Sequence, residues 1–254
     1  MIGLIGAEGF VGSAFARYFA VNGEDYFPIT RSSAAQSLDF EFELVINAAG
    51  SGSKLMAERD FYKSFTINIS EIAWYLSRLS YSKFVHLSSI DVYSDFVSGG
   101  KVDTSPLPCT ELQPSSKYGL LKTMQEKLVS DVAEDWVICR LGGMVGPGMS
   151  KGVVHDVLMD EAIWMTPESH VLTLETSVVA SAVMSLQSQK NGIFNVAASE
   201  PISVKNVADL LGRTLAGCKR EVTFDYQVDV SATQHFLCLP TSVESMVSYI
   251  KNSN

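Results

Sequence analysis

The sequence is poor in positive charge: 19 Lys and Arg stand against 28 Asp and Glu, a formal net charge of −9 over 254 residues. No basic stripe can be assembled to neutralise a run of phosphates, so a nucleic-acid interface is excluded as the main function and an anionic ligand must be held locally. Cysteine is scarce too, and the four residues at 109, 139, 218 and 238 fit neither a Cys-x-x-Cys redox pair nor a zinc set. They read as reduced thiols of a cytoplasmic protein. Apolar runs of the ~20 residues that a membrane span needs are missing. The chain opens on apolar Met1–Ile5 without the basic segment of a secretion signal, so neither membrane nor export is expected. The His, Cys and carboxylate residues show no metal-ligand spacing, and there is no Gly-x-Ser-x-Gly elbow of a hydrolase.

What is abundant is apolar material, 46% of the residues against 19% charged, enough to bury a large core. It comes in short β-rich runs at Ile2–Ile5, Tyr26–Ile29, Leu44–Ile46, Phe84–Leu87, Trp136–Leu141 and Ile193–Val196. Between them, helical patterns fit Val11–Val21, Phe65–Leu79, Ser116–Val132, Ser177–Leu186 and Val204–Leu215, the last with Ser203 as N-cap. Such alternation predicts βαβ units and a parallel sheet. Val137-Ile138-Cys139 lacks polar alternation, as a strand covered on both faces should. Two irregular stretches, 94–114 and 142–152, are long enough to be functional loops.

Three groups of residues carry chemistry. Gly6-Ala7-Glu8-Gly9-Phe10-Val11-Gly12 follows the first strand and runs into a helix, where glycines allow close backbone approach and the helix N-terminus offers N–H groups to a pyrophosphate. The second strand ends in Thr30-Arg31-Ser32-Ser33 without a carboxylate before Asp39. An acid there would bind the ribose 2′-hydroxyl of NAD, whereas Arg31 suits the 2′-phosphate of NADP, so NADP is expected and NAD is the alternative. Finally, Tyr118 and Lys122 stand four apart on one helix face, where an ammonium can stabilise a phenolate, and Ser88-Ser89-Ile90-Asp91-Val92-Tyr93 ends a strand at the ligand-bearing edge of the sheet.

In order and spacing these residues resemble the extended short-chain dehydrogenase/reductase superfamily, in particular its nucleotide-sugar epimerase/dehydratase/reductase group. The resemblance extends through Asn47-Ala48-Ala49-Gly50, Asn68, Arg140-Leu141, Gly146-Pro147-Gly148, Phe194-Asn195-Val196 with Ser203, and Asp229-x-Ser231 leading to Pro240. It implies a Rossmann-like doubly wound sheet from residues 1–148 and 175–197, with a small substrate-binding part from 149–174 and 198–254. It makes Tyr118 the acid/base, Lys122 its pKa-lowering partner and ribose anchor, and Ser89 the hydroxyl on the reacting oxygen, with Ser88 as the alternative. The cofactor would be held by Gly6, Glu8, Gly9, Phe10, Val11, Gly12, Arg31, Asn47, Ala48, Ala49, Asn68, Ser88, Tyr118 and Lys122. Asp91, Tyr93, Lys151, His155 and Arg220 are candidates for the substrate.

Departures from the group's pattern narrow the reaction. Sugar 4,6-dehydratases carry an Asp-Glu pair after the catalytic hydroxyl, and Ile90-Asp91 lacks the first acid, which argues against elimination. Asp91 falls where the GDP-fucose synthase type keeps an epimerising cysteine. The resemblance therefore implies reduction of a 4-keto nucleotide sugar, with a 4-epimerase as the alternative and a non-catalytic NADP-sensing relative as the rival from another class. It also implies a homodimer through helices near 65–79 and 116–132, for which Ile69, Ile72, Ala73 and Leu76 offer an apolar stripe that could equally face the sheet.

Overall fold

The computed structural model of the chain describes residues 1–94, 96–98 and 104–253. In chain order the first half comprises β1 (Ile2–Ile5), α1 (Gly12–Asn22), β2 (Tyr26–Ile29), β3 (Glu41–Asn47), α2 (Lys54–Arg59), α3 (Phe61–Phe65), α4 (Glu71–Arg78), β4 (Ser80–Ser89), α5 (Lys117–Val132) and β5 (Trp136–Leu141). The second half adds β6 (Met144–Val145), α6 (Val153–Leu158), β7 (His170–Val171), β8 (Leu174–Glu175), α7 (Thr176–Ser185), β9 (Gly192–Val196), β10 (Ile202–Ser203), α8 (Val204–Leu210), α9 (Ser231–Gln234) and α10 (Ser242–Ser253).

Six strands form one sheet in the order β2-β1-β3-β4-β5-β9, parallel at every pairing. The chain thus winds outward in one direction from β1 and in the other from β3, the expected doubly wound α/β arrangement, with its crossover at the β1/β3 pair. Helices cover both faces. One core under the sheet gathers Phe15, Phe19, Ile46, Leu87 and Val183, and the other gathers Ile5, Ile29, Val45, Ile72 and Phe84. Val137, Ile138 and Cys139 are fully buried between them, which is why these three positions of β5 show no polar alternation. A third cluster, with Val154, Val157, Ile163, Val207 and Met246, belongs to the later part of the chain.

Some boundaries differ from the sequence expectation. The helical run expected at Phe65 starts at Phe61, because Asp60 accepts from the Lys63 N–H at 3.0 Å, and it passes through a π turn at Thr66–Ser70. The helix expected to reach Leu215 stops at Leu210, where Gly212 turns the chain left-handed at φ +62°. Ile69, Ile72 and Leu76 are buried within the protein's own cores, so the apolar stripe faces inward. The four cysteines are free thiols. No helix among the described residues is long and apolar enough to cross a membrane, and these residues hold no group of three or more His, Cys, Asp or Glu placed to bind a metal ion.

Candidate active site

β1, β3 and β4 all end on one edge of the sheet, and the loops leaving that edge build the site. After β1, Gly6 adopts φ +77° and the Gly9 N–H donates to the Gly6 carbonyl at 3.0 Å. A Cβ on Gly6 would lie 2.9 Å from the Ala49 backbone, and one on Gly12 would run into the Gly6 carbonyl, so the loop admits only glycine at both points. α1 then begins at Gly12, after Val11 at the N-cap position, with neither a side-chain cap nor an acid in its first turn. No side chain in its first turn therefore offsets the positive end of its dipole. Glu8 is exposed, and Phe10 and Val11 are half-buried along the loop.

Asn47 and Asn68 shape the floor beside this loop. The Asn47 carbonyl oxygen accepts from the Ala49 N–H at 3.1 Å, while its amide donates to Nδ1 of fully buried His86 at 3.3 Å. Burial, with the charge of Lys122 behind it, holds His86 neutral. Asn68, in the π turn, accepts from the Ser51 N–H and donates to the Ser64 carbonyl, which fixes the loop after Ala48-Ala49. Arg31 projects from the end of β2, 84% exposed, with its guanidinium 3.8 Å from Glu71.

At the other end of the site, Ser116 caps α5 by accepting from the Gly119 N–H at 3.0 Å. Four-residue spacing then places Tyr118, Lys122 and Glu126 on one buried face of the helix. Lys122 Nζ donates to the Leu87 carbonyl at 3.2 Å. Burial, reinforced by Lys151 and opposed by Glu126, pushes its pKa down to about 8. The Tyr118 phenol is pushed well above its ordinary value by burial and by Asp91, against Lys54 and a hydrogen bond with Ser89. The cation that favours phenolate in this structure is thus Lys54 rather than Lys122, whose Nζ is turned to the β4 backbone.

Lys54 and Asp91 form a pair at 2.6 Å, and the Ser89 hydroxyl donates to the other Asp91 oxygen at 3.1 Å. The sequence reading missed Lys54. Its only signal is a lysine directly after Gly50-Ser51-Gly52-Ser53, where Ser53 caps α2 by accepting from the Met56 N–H. Gly52 also brings Lys151 in: a Cβ there would lie 2.9 Å from Lys151 Nζ and 3.9 Å from the Tyr118 oxygen. The structure therefore gathers Ser89, Asp91, Tyr118, Lys122, Lys151 and Lys54.

Other expected residues lie elsewhere. The Ser88 hydroxyl donates to Glu126 at 2.5 Å, because successive strand residues point to opposite faces, so it is taken up inside the protein instead of by a cofactor. Tyr93 is 2% exposed and donates to Asn195 at 2.8 Å while accepting from Arg140 at 3.1 Å, which removes it from the substrate candidates. His155 sits in α6 with its ring nitrogen 3.6 Å from its neighbour Asp156, and Arg220 is exposed just after the Ile163–Cys218 bridge; neither is joined to the phenol by a contact among the described residues.

Comparison with known proteins gives the same architecture. The chain superposes on MoeE5 in complex with UDP-glucose and NAD at TM-score 0.82 and 16% identity, on RMD from Pseudomonas aeruginosa complexed with NADPH at 0.79 and 18%, and on the UDP-glucose 4-epimerase of Thermotoga maritima with UDP-glucose at 0.76 and 18%. Each match covers 99% of both chains. No curated protein sequence matches the chain. The profile of the NAD dependent epimerase/dehydratase family, however, matches residues 2–160, more than half of the sequence, and the chain belongs to that family.

Proposed function

We propose that the chain is an NADP(H)-dependent oxidoreductase of nucleotide-activated sugars that reduces a 4-keto group, with Tyr118 as proton donor. The observation that carries this reading is the buried Tyr118 phenol grouped with Ser89, Asp91 and Lys122 at the sheet edge where the glycine loop also lies. A protonated phenol is the state required to quench a nascent sugar alkoxide. The first acid of an elimination pair is absent, and Asp91 is already engaged by Lys54 and Ser89.

The residues present fit a dinucleotide. Gly6, Gly9 and Gly12, with the uncapped end of α1, would hold the pyrophosphate; Ala48 and Ala49 would flank the adenosine side, Arg31 the 2′-phosphate, and Lys122 the nicotinamide ribose. When bound, the nicotinamide supplies the hydride. Tyr118 gives its proton to the sugar oxygen as the carbon is reduced. Ser89 holds that oxygen beside the phenol, and Asp91 keeps the Ser89 hydroxyl in place. Lys122 would hold the nicotinamide ribose and supply positive charge there, and Lys151 would offer a cation to the substrate at the loop of Gly52.

The neighbours that bind UDP-glucose support a nucleotide sugar as substrate. The division into a dinucleotide part (1–148 and 175–197) and a substrate part (149–174 and 198–254), a cytoplasmic location and a homodimer belong to the same proposal. Exposed Leu55, Phe61, Tyr62 and Leu120 on α2, α3 and α5 support an interface there, which sedimentation at micromolar concentration would test; a purely monomeric species removes it. The function itself is tested by mass spectrometry of the copurifying cofactor and a panel of 4-keto-sugar nucleotides. Net consumption of NADPH is expected. A retained stoichiometric NAD with interconversion of 4-epimers and no net consumption would make the chain an epimerase instead, and no turnover with any sugar nucleotide would favour a non-catalytic relative.

A further inference from the structure

The end of β2 offers no carboxylate to a ribose. Its hydroxyls are spent on the turn, with Ser33 donating to the Pro28 carbonyl at 2.7 Å and the Thr30 N–H donating to Ser33 at 2.8 Å. A carboxylate nevertheless arrives from another element. Glu71, the first residue of α4, lines a narrow crevice with Asn47, Ala49, Gly50, Asn68 and Tyr75 at the end of β3, and its oxygen stands 3.8 Å from the Arg31 guanidinium. Glu71 is 37% exposed and Arg31 84%, so both remain open to a ligand.

We propose that Glu71 is a specificity-determining residue that supplies from α4 the carboxylate that β2 lacks, so that the Arg31–Glu71 pair accepts either a ribose 2′-hydroxyl or a 2′-phosphate. This rests on the dinucleotide reading above. The chemistry of the two groups is complementary: a carboxylate accepts from a 2′-hydroxyl, whereas a guanidinium forks onto a 2′-phosphate. Because they face each other, each weakens the other's preference. Glu71 competes with a phosphate for Arg31 and repels it, while Arg31 draws the Glu71 charge away from a hydroxyl.

The test is calorimetric titration of the full chain with NADH and with NADPH, for the wild type, Glu71→Gln, Glu71→Ala and Arg31→Gln. Both side chains are surface groups, so folding is expected to persist, and circular dichroism checks it. The wild type should bind both cofactors within about tenfold of each other, since the exposed pair leaves only a small net preference. Glu71→Gln should tighten NADPH about fivefold by removing the repulsion while keeping an acceptor for NADH. Glu71→Ala should in addition weaken NADH about tenfold, and Arg31→Gln should weaken NADPH about tenfold while sparing NADH. An NADPH-to-NADH ratio unchanged in both Glu71 variants overturns the role of Glu71 and leaves the dinucleotide reading standing. A wild type that takes one cofactor more than about a hundredfold better overturns dual acceptance. Failure of the wild type to bind either overturns the dinucleotide reading and this inference with it.

Discussion

Ser88 and Ser89 are neighbours at the end of one strand, and each hydroxyl donates to a carboxylate that is itself paired with a cation. Ser88 reaches Glu126, which holds Arg140 at 2.7 Å with both side chains fully buried. Ser89 reaches Asp91, which holds Lys54 at 2.6 Å with the lysine 52% and the aspartate 17% exposed. The pair distances are nearly equal, and the surroundings decide what each does. Around Arg140 four of the five N–H donors are used inside the protein: Nε and Nη2 go to Glu126, Nη2 also to the Leu107 carbonyl, and Nη1 to Tyr93. Such a buried network locks β4, β5 and α5 together, out of reach of a substrate. Around Asp91 the groups lie against the Tyr118 phenol and remain reachable, so the same ionic chemistry can answer to a ligand. One strand residue of difference separates scaffold from site.

Mutations can test that separation. The largest effect should come on the Ser89 side: Tyr118→Phe is expected to lower kcat by about 10²–10⁴-fold with unchanged thermal stability, since it deletes the proton donor and little volume. Steady-state kinetics with a substrate from the keto-sugar panel, alongside a melting curve, reads both; full activity would break the comparison. On the Ser88 side, Arg140→Met should leave Glu126 as an uncompensated buried charge and cost about 3–5 kcal/mol in urea unfolding. Ser89→Ala should then reduce kcat by about 10–100-fold without a change in unfolding midpoint. Its neighbour should do the reverse, Ser88→Ala costing about 1–2 kcal/mol of stability by depriving buried Glu126 of a donor.

Lys122 lies between the two sides and gives the most graded test. Burial lowers its pKa from 10.5 to about 8, so between those values the unfolded chain binds more protons than the folded one, and the stability contributed by this group rises with pH. Below about pH 8 the full cost of a buried ammonium is felt. Lys122→Met should therefore melt higher than the wild type near pH 7, with the gap closing toward pH 10. A gap independent of pH would mean that Lys122 is not desolvated as the structure has it.

Much of the fold could be read from the residues because its signals are local. The apolar run Val137-Ile138-Cys139 in β5, Ser116 and Ser203 at helix starts, and glycines at the β1 turn all act within a few residues of themselves. The helix starting at Phe61 and the early stop at Leu210 were less legible, since a lone Asp60 cap and a left-handed Gly212 are weak signals beside long apolar periodicity. Tyr118 and Lys122 were legible as partners on one face, but their electrostatics were not. Spacing alone cannot say that Lys122 turns to the Leu87 carbonyl while Lys54, from 64 positions earlier than Tyr118, faces the phenol.

The sequence by itself determined the α/β alternation, the glycine loop, the helix bearing Tyr118 and Lys122, and the serine pair at a strand end. Each of these depends on backbone conformation or on side chains within one helical turn or one pleat of each other. Tertiary structure alone decided which serine bonds Glu126 and which Asp91, that Tyr93 belongs to the Arg140 network, and that Lys54 and Glu71 bring their charges to residues far away in the chain. Those outcomes depend on burial and on distances between elements that are remote in sequence, and charge energies change steeply with both.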